Sequence, residues 1–190
     1  VNADPARGTD GSRLQLAEYA ALRRTITQRG TARMIVAPAS CVGWAALAVA
    51  TGPGQGHVLG SLLPLAVLFA GFEAVHALHT GAERIGRYVQ VFHEGWSDGP
   101  RWESTAMTVG PALPGGGIDP LFSVVFVTAA LLNLLLARPE WSLSTDSAVL
   151  VTAHLALVVR IGRARAAASR QRAVELESFR ALRSRDSSRE

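Results

Sequence analysis

Four apolar runs stand out against a polar background along the chain: Met34 to Thr51, Val58 to Leu78, Leu121 to Ala137, and Ser147 to Ile161 with its flanks. At about 1.5 Å of rise per helical residue, segments of roughly 17 to 21 residues just cross a hydrocarbon layer about 30 Å thick. The pattern predicts an all-α fold, a four-helix transmembrane bundle with cytoplasmic helical extensions. The rest of the chain is too short to wrap four such runs as the buried helices of a soluble domain.

Between the runs, local signals place the boundaries. Ser12 and Gln15 have the spacing of a capping box, which predicts an amphipathic helix through Glu18 to Arg33 that continues into the first span. The turn from Thr51 to Gly56 is short enough to demand an antiparallel hairpin, so spans one and two are neighbours. Asp119 and Pro120 supply an N-cap and a first-turn proline for span three; Ser144, Thr145 or Asp146 caps span four, and Trp141 sits where an interfacial tryptophan anchors. Helical patterning runs past span two to about Glu94 and past span four from Ile161 to Arg185, there with a stripe of Ala173, Leu176, Phe179 and Leu182. The stretch Gly95 to Asp119 reads as a Gly/Pro-rich loop in which Trp96, Trp102, Met107 and Leu113 pack against the protein. The chain thus divides into an N-terminal segment and amphipathic helix (1–33), a hairpin (34–81), an extension and loop (82–120), a second hairpin (121–162) and a basic helix (163–190).

Composition adds orientation. The apolar share is 48%, high for a chain with charged ends, and all 19 basic residues are arginine. Eighteen of the 19 lie before the first run, in the central loop or in the tail from Arg160 onward, and Arg138 alone lies on the opposite side. Arginine resists translocation, so both termini are expected in the cytoplasm, with the protein in a bacterial inner membrane, cytoplasmic or intracytoplasmic. A pI near 10.5 raises the question of nucleic acid, but the arginines flank apolar runs and are not interleaved with stacking aromatics. The expected partners are therefore membrane lipids, including anionic head groups, and other membrane-protein subunits, with no nucleic acid. Cys41 is the sole cysteine and reads as a small buried hydrophobe, which excludes an intrachain disulfide. Val1 to Asp10 has no charged and apolar leader pattern, so no signal peptide is expected in this stretch.

Candidate chemistry concentrates in the second run. Glu73, His76, Thr80, Glu83 and Arg87 fall within an arc of about 80° at 100° per residue, forming one polar stripe. Glu73 with His76 is half of a di-iron carboxylate motif, with His79 as a further ligand candidate. Spans three and four hold no glutamate and only His154, so no metal site is predicted. A haem or chlorophyll-type pigment would need facing histidines, His76 or His79 against His154. Counted from the span boundaries, His76 is about 3 Å deep, Glu73 about 7 Å and His154 about 10 Å. If spans two and four touch, the depths favour a Glu73 to His154 hydrogen bond over haem ligation, and no cofactor is predicted. Glu73, His76, Thr80, Glu83, Arg87 and His154 are accordingly expected to form an interhelical polar seam. Arg84 and Arg87 with Glu83, and Arg101 with Glu94 or Glu103, read as exposed or interfacial ion pairs. Gly115 to Gly117 follows no strand and is a turn, not a phosphate loop, and no nucleophile, base and orienter recur in a catalytic frame, so no catalytic residue and no enzyme activity is expected.

Glu18-Tyr19-x-x-Leu22-Arg23-x-x-Ile26-x-x-Arg29, followed by Arg84-Ile85-Gly86-x-Tyr88, Glu94 and Trp102-Glu103, carries a family likeness over about residues 12 to 105. It resembles uncharacterised bacterial multi-span membrane proteins with E-Y-x-x-L-R and R-I-G-x-Y motifs, distantly similar to the SLATT group of two-span proteins. That likeness implies a pore-forming effector, supplies no catalytic residue, and leaves two further spans and a tail outside it. The reading that follows from the residues is a non-enzymatic accessory subunit of a larger inner-membrane complex, energy-transducing in the photosynthetic or respiratory sense. The alternatives are a homo-oligomeric channel whose vestibule is lined by Glu73, His76 and Glu83, and a haem- or pigment-binding protein.

Overall fold

A computed structural model of the chain describes residues 5–51, 58–94, 101–109, 120–137 and 144–188. Its helices are α1 (Pro5–Thr51), α2 (Leu62–Phe92), α3 (Trp102–Val109), α4 (Pro120–Leu136) and α5 (Thr145–Ser187), with a 3-10 turn at Val58–Ser61 before α2. No strand occurs among the described residues. The turn at 52–57, Trp96, Leu113, Asp119 and Trp141 lie outside them, as does the side chain of Met107.

The expected amphipathic helix and first span are one unbroken helix of 47 residues. It starts at Pro5, so Ser12 lies about two turns inside and is not its cap. Proline suits a first turn because the missing N–H would have no intrahelical acceptor there. At the other end of the chain Ser144 is the cap, accepting from the Ser147 N–H at 3.2 Å, with Asp146 in the first turn on the favourable side of the helix dipole. The stretches expected to be a fourth span and a basic tail are likewise a single helix, of 43 residues.

α3 corrects the loop expected between residues 95 and 119. The Glu94 carboxylate, 4% exposed, accepts from the Glu103 and Ser104 backbone N–H groups at 2.7 Å each, doing from a distance what a capping side chain does locally. Trp102, expected to pack inward, is 62% exposed.

α2 is the central helix and touches all the others. α1 runs antiparallel to it, as the hairpin requires: Ser40 faces Gly71, Arg33 meets His79 and Glu18 meets Tyr88. A Cβ on Gly71 would stand 2.5 Å from that of Ser40, so glycine is what lets these backbones close together. α5 runs parallel to α2 in nearly constant register, its cross-links spanning 87, 89 and 88 residues along the chain. α4 runs the opposite way between them, from Phe122 beside Arg33 to Asn133 beside Trp44. The core joins Leu65, Leu68, Phe72 and Val75 of α2 to Phe126, Ala129 and Ala130 of α4 and Leu157 and Ile161 of α5, with Ala37 from α1.

α1, α2 and α5 are long and apolar enough to cross a membrane, and α4 is a shorter apolar helix. Only 6% of the apolar window of α1 is buried, against 33% in α2 and 28% in α5, so α1 is the peripheral helix. Large side chains point outward from all four: Ile35, Val42 and Val49 on α1, Leu63 on α2, Leu131 and Leu135 on α4, Leu155 on α5. Cys41 is half-buried on the same segment.

Candidate functional site

Helical periodicity alone puts Glu73, His76, Thr80, Glu83 and Arg87 on one side of α2, and α5 answers most of them with charge. Arg160 donates to Glu73 at 2.8 Å. Arg87 is 2% exposed and holds two carboxylates at once: Nη1 donates to Glu83 at 3.0 Å, while Nε and Nη2 donate to one oxygen of Glu175 at 2.9 and 2.6 Å. Arg172 reaches Glu83 at 3.4 Å and Arg84 reaches the other Glu175 oxygen at 3.0 Å. Arg84 is exposed and ion-paired as expected, but with Glu175 in place of Glu83, whereas Arg87 is a buried charge that remains tolerable because both neighbours are bonded to it.

α1 contributes Arg33, whose Nη1 lies 2.8 Å from His79 Nδ1. An arginine can only donate, so Nδ1 is the acceptor and Nε2, 3.5 Å from Glu83, carries the proton. His79, placed earlier as a candidate metal or haem ligand, is therefore part of the seam. Thr80 turns back on its own helix, donating to the His76 carbonyl at 3.0 Å, and links nothing. His76 stacks on Phe72 with ring centroids 5.8 Å apart.

His154 is not in the seam, and the expected Glu73 to His154 bond does not form. The 87- to 89-residue register sets His154 about ten residues, or roughly 15 Å, from the level of His76. Its Nδ1 donates to the Leu150 carbonyl at 2.8 Å, and its Nε2 accepts from Asn133 Nδ2 at 3.0 Å. Asn133 also donates to the Ser61 carbonyl at 3.0 Å and accepts from Trp44 Nε1 at 3.1 Å. One amide thereby ties α1, the turn before α2, α4 and α5 together, with Asn133 and His154 2% and 4% exposed. The facing histidines a haem or pigment would use are not brought together, and among the described residues no three His, Cys, Asp or Glu side chains converge as metal ligands.

A third cluster gathers residues of the E-Y-x-x-L-R and R-I-G-x-Y stretches. Tyr88 donates to Glu18 at 3.0 Å, and the Tyr19 ring lies 5.8 Å from that of His93. Arg23 pairs with Glu103, which displaces the expected Arg101 partner of either Glu94 or Glu103. A Cβ on Gly86 would come within 3.0 Å of the Glu103 carboxylate, so this glycine makes room for α3. Tyr88 also meets Phe179 edge-on at 5.9 Å, the one member of the α5 stripe in a ring contact, whereas Leu182 is 49% exposed.

Sequence reasoning missed Arg33, Asn133, Arg160, Arg172 and Glu175. Asn133 had a signal, because an amide inside Leu121 to Ala137 is costly unless fully bonded. The other four depend on which helices touch. Comparison with protein-family models, with curated proteins and with solved structures finds no match to this chain.

Proposed function

We propose that the chain is a four-span protein of a bacterial inner membrane, with both termini cytoplasmic, and that it serves as a non-enzymatic structural subunit of a larger membrane complex. The observation that carries this reading is the contrast between the two sides of its helices. Inward, the carboxylates of the seam are bonded to arginines of the same chain: Glu73 to Arg160, Glu83 to Arg87 and Arg172, Glu175 to Arg87 and Arg84. Outward, apolar side chains on all four spans face away from the protein, most continuously along α1. A water-filled pore wants its charges turned to the lumen, whereas a packing subunit spends them on holding its own helices in register. Exposed apolar faces of this extent need lipid or a partner helix to cover them.

The arginine asymmetry supports the orientation, since α1 before Met34, the end of α2 and α5 beyond Arg160 all lie at one end of the molecule. Isolation from the source membrane in mild detergent, followed by native electrophoresis and mass spectrometry, tests the role. A single large assembly with other membrane proteins at fixed stoichiometry is the expected result. Recovery as a lone or self-associated chain that conducts ions after reconstitution would replace this reading with the channel.

A further inference from the structure

A small cavity at the arginine-rich end of the apolar zone carries one more inference. It opens between α1, α2, α4 and α5 and has a volume of about 50 Å³. A water-sized atom needs roughly 10–15 Å³ on such a measure, so the space admits a group of three or four such atoms. Its polar lining is Arg33, His76, His79, Arg165 and the Ser123 hydroxyl, with no carboxylate among them. Among the described residues no carboxylate pairs with Arg33 or with Arg165, although most arginines along the seam are paired. Arg33 leaves its buried Nε without an acceptor while its guanidinium covers the Phe122 ring at 4.9 Å. The apolar lining includes Phe72 and Phe122, and Leu121 and Val124, beside the lining residues Phe122 and Ser123 on α4, are exposed.

Two acid-free guanidiniums beside a space of this size call for a compact anion with several acceptor oxygens, and an apolar wall running outward from it calls for hydrocarbon attached to that anion. We infer that the cavity binds the phosphate of an anionic phospholipid between Arg33 and Arg165, with the acyl chains lying along Phe122, Leu121 and Val124. The inference rests on the membrane reading above and adds a defined site to it. The site differs from the diffuse attraction of a basic tail: Arg163 and Arg170, exposed on the same helix, are not part of it.

The test uses the full chain reconstituted in phosphatidylcholine vesicles with and without phosphatidylglycerol, then transferred to mild detergent for native mass spectrometry. The wild-type chain retains one phosphatidylglycerol. Arg165→Ala, which removes an exposed side chain with no carboxylate partner among the described residues, lowers retention about fivefold, and Arg33→Ala with Arg165→Ala about thirtyfold. Arg163→Ala with Arg170→Ala leaves it unchanged. Equal retention in all variants overturns the site, as does equal thermal stabilisation by inorganic phosphate in phosphatidylcholine alone, which would make the ligand a free anion. Carbonate washing of the same vesicles separates the two levels: release of the wild-type chain sinks the membrane reading itself, whereas retained chains indifferent to Arg33 and Arg165 sink only the lipid site.

Discussion

Arg87 of α2 is closed off from solvent against Glu175 of α5, its Nη2 2.6 Å from the carboxylate, while its Nη1 holds Glu83 one turn back on its own helix. A buried cation between two carboxylates is worth little against a well-packed apolar core, but removing it strands charges that the fold has taken out of water. Arg87→Ala is therefore expected to destabilise the protein by about 3 kcal/mol. Arg84→Ala, at the 60%-exposed edge of the same network, should cost less than about 1 kcal/mol. Denaturant unfolding in detergent followed by circular dichroism measures both.

Asn133 is expected to behave as the knot of the opposite end. Asn133→Leu keeps the branched outline of the side chain but not its polarity, and removes the bond from Trp44 Nε1 and the bonds to the Ser61 carbonyl and His154 Nε2. At about 1–3 kcal/mol for each buried polar group left unpaired, with partial relaxation, a loss of about 3 kcal/mol follows. Leu135→Ala on the outward face of α4 provides the control and should change stability far less.

The close approach of α1 and α2 at Gly71 predicts a coupled pair. Gly71→Ala alone pushes a methyl against Ser40 and should cost about 1–3 kcal/mol. With Ser40→Gly added, that collision is relieved, so the double variant should be more stable than the sum of the two single changes allows. A thermal unfolding cycle with the four chains reads the coupling, and strict additivity would show that the helices do not meet here.

Two carboxylates outside the apolar zone should give opposite pH dependence. Burial pushes the Glu175 carboxyl up, but hydrogen bonds from Gln171, Arg87 and Arg84 outweigh it and hold the group below its ordinary value. Its contribution to stability is present above the unfolded value, about 4.3, and is lost as pH falls through the lowered folded value. Burial raises Glu103, with Glu94 adding to the rise and Arg23 opposing it, so its contribution is present below the unfolded value and is lost as pH rises through the raised one. Unfolding midpoints measured across the acid range should therefore lose their slope below about pH 4.3 in Glu175→Gln and above it in Glu103→Gln.

The helices themselves were legible because their signals are local: apolar runs of sufficient length, Pro120 at the start of α4, Ser144 before α5, and arginine-rich stretches that continue the helical pattern of α2 and α5. The seam was legible by half, since periodicity reports which residues share a face of α2 but not which helix covers that face. Glu73 was paired with His154 on depth alone; the parallel register of α5 instead brings Arg160 to it, 87 residues away. α3 was hidden for a related reason, because its cap is Glu94, nine residues before the first N–H it holds. Local capping rules look three residues ahead, and nothing in the intervening segment announces the helix.

The constant register between α2 and α5 also has a mechanical side. Rungs at Glu73 to Arg160, Glu83 to Arg172 and Arg87 to Glu175 bolt two continuous rods together from the apolar zone outward, with no joint between stem and root. Because all three rungs join the same two helices at nearly the same offset, sliding α5 along α2 by a single residue would break them together.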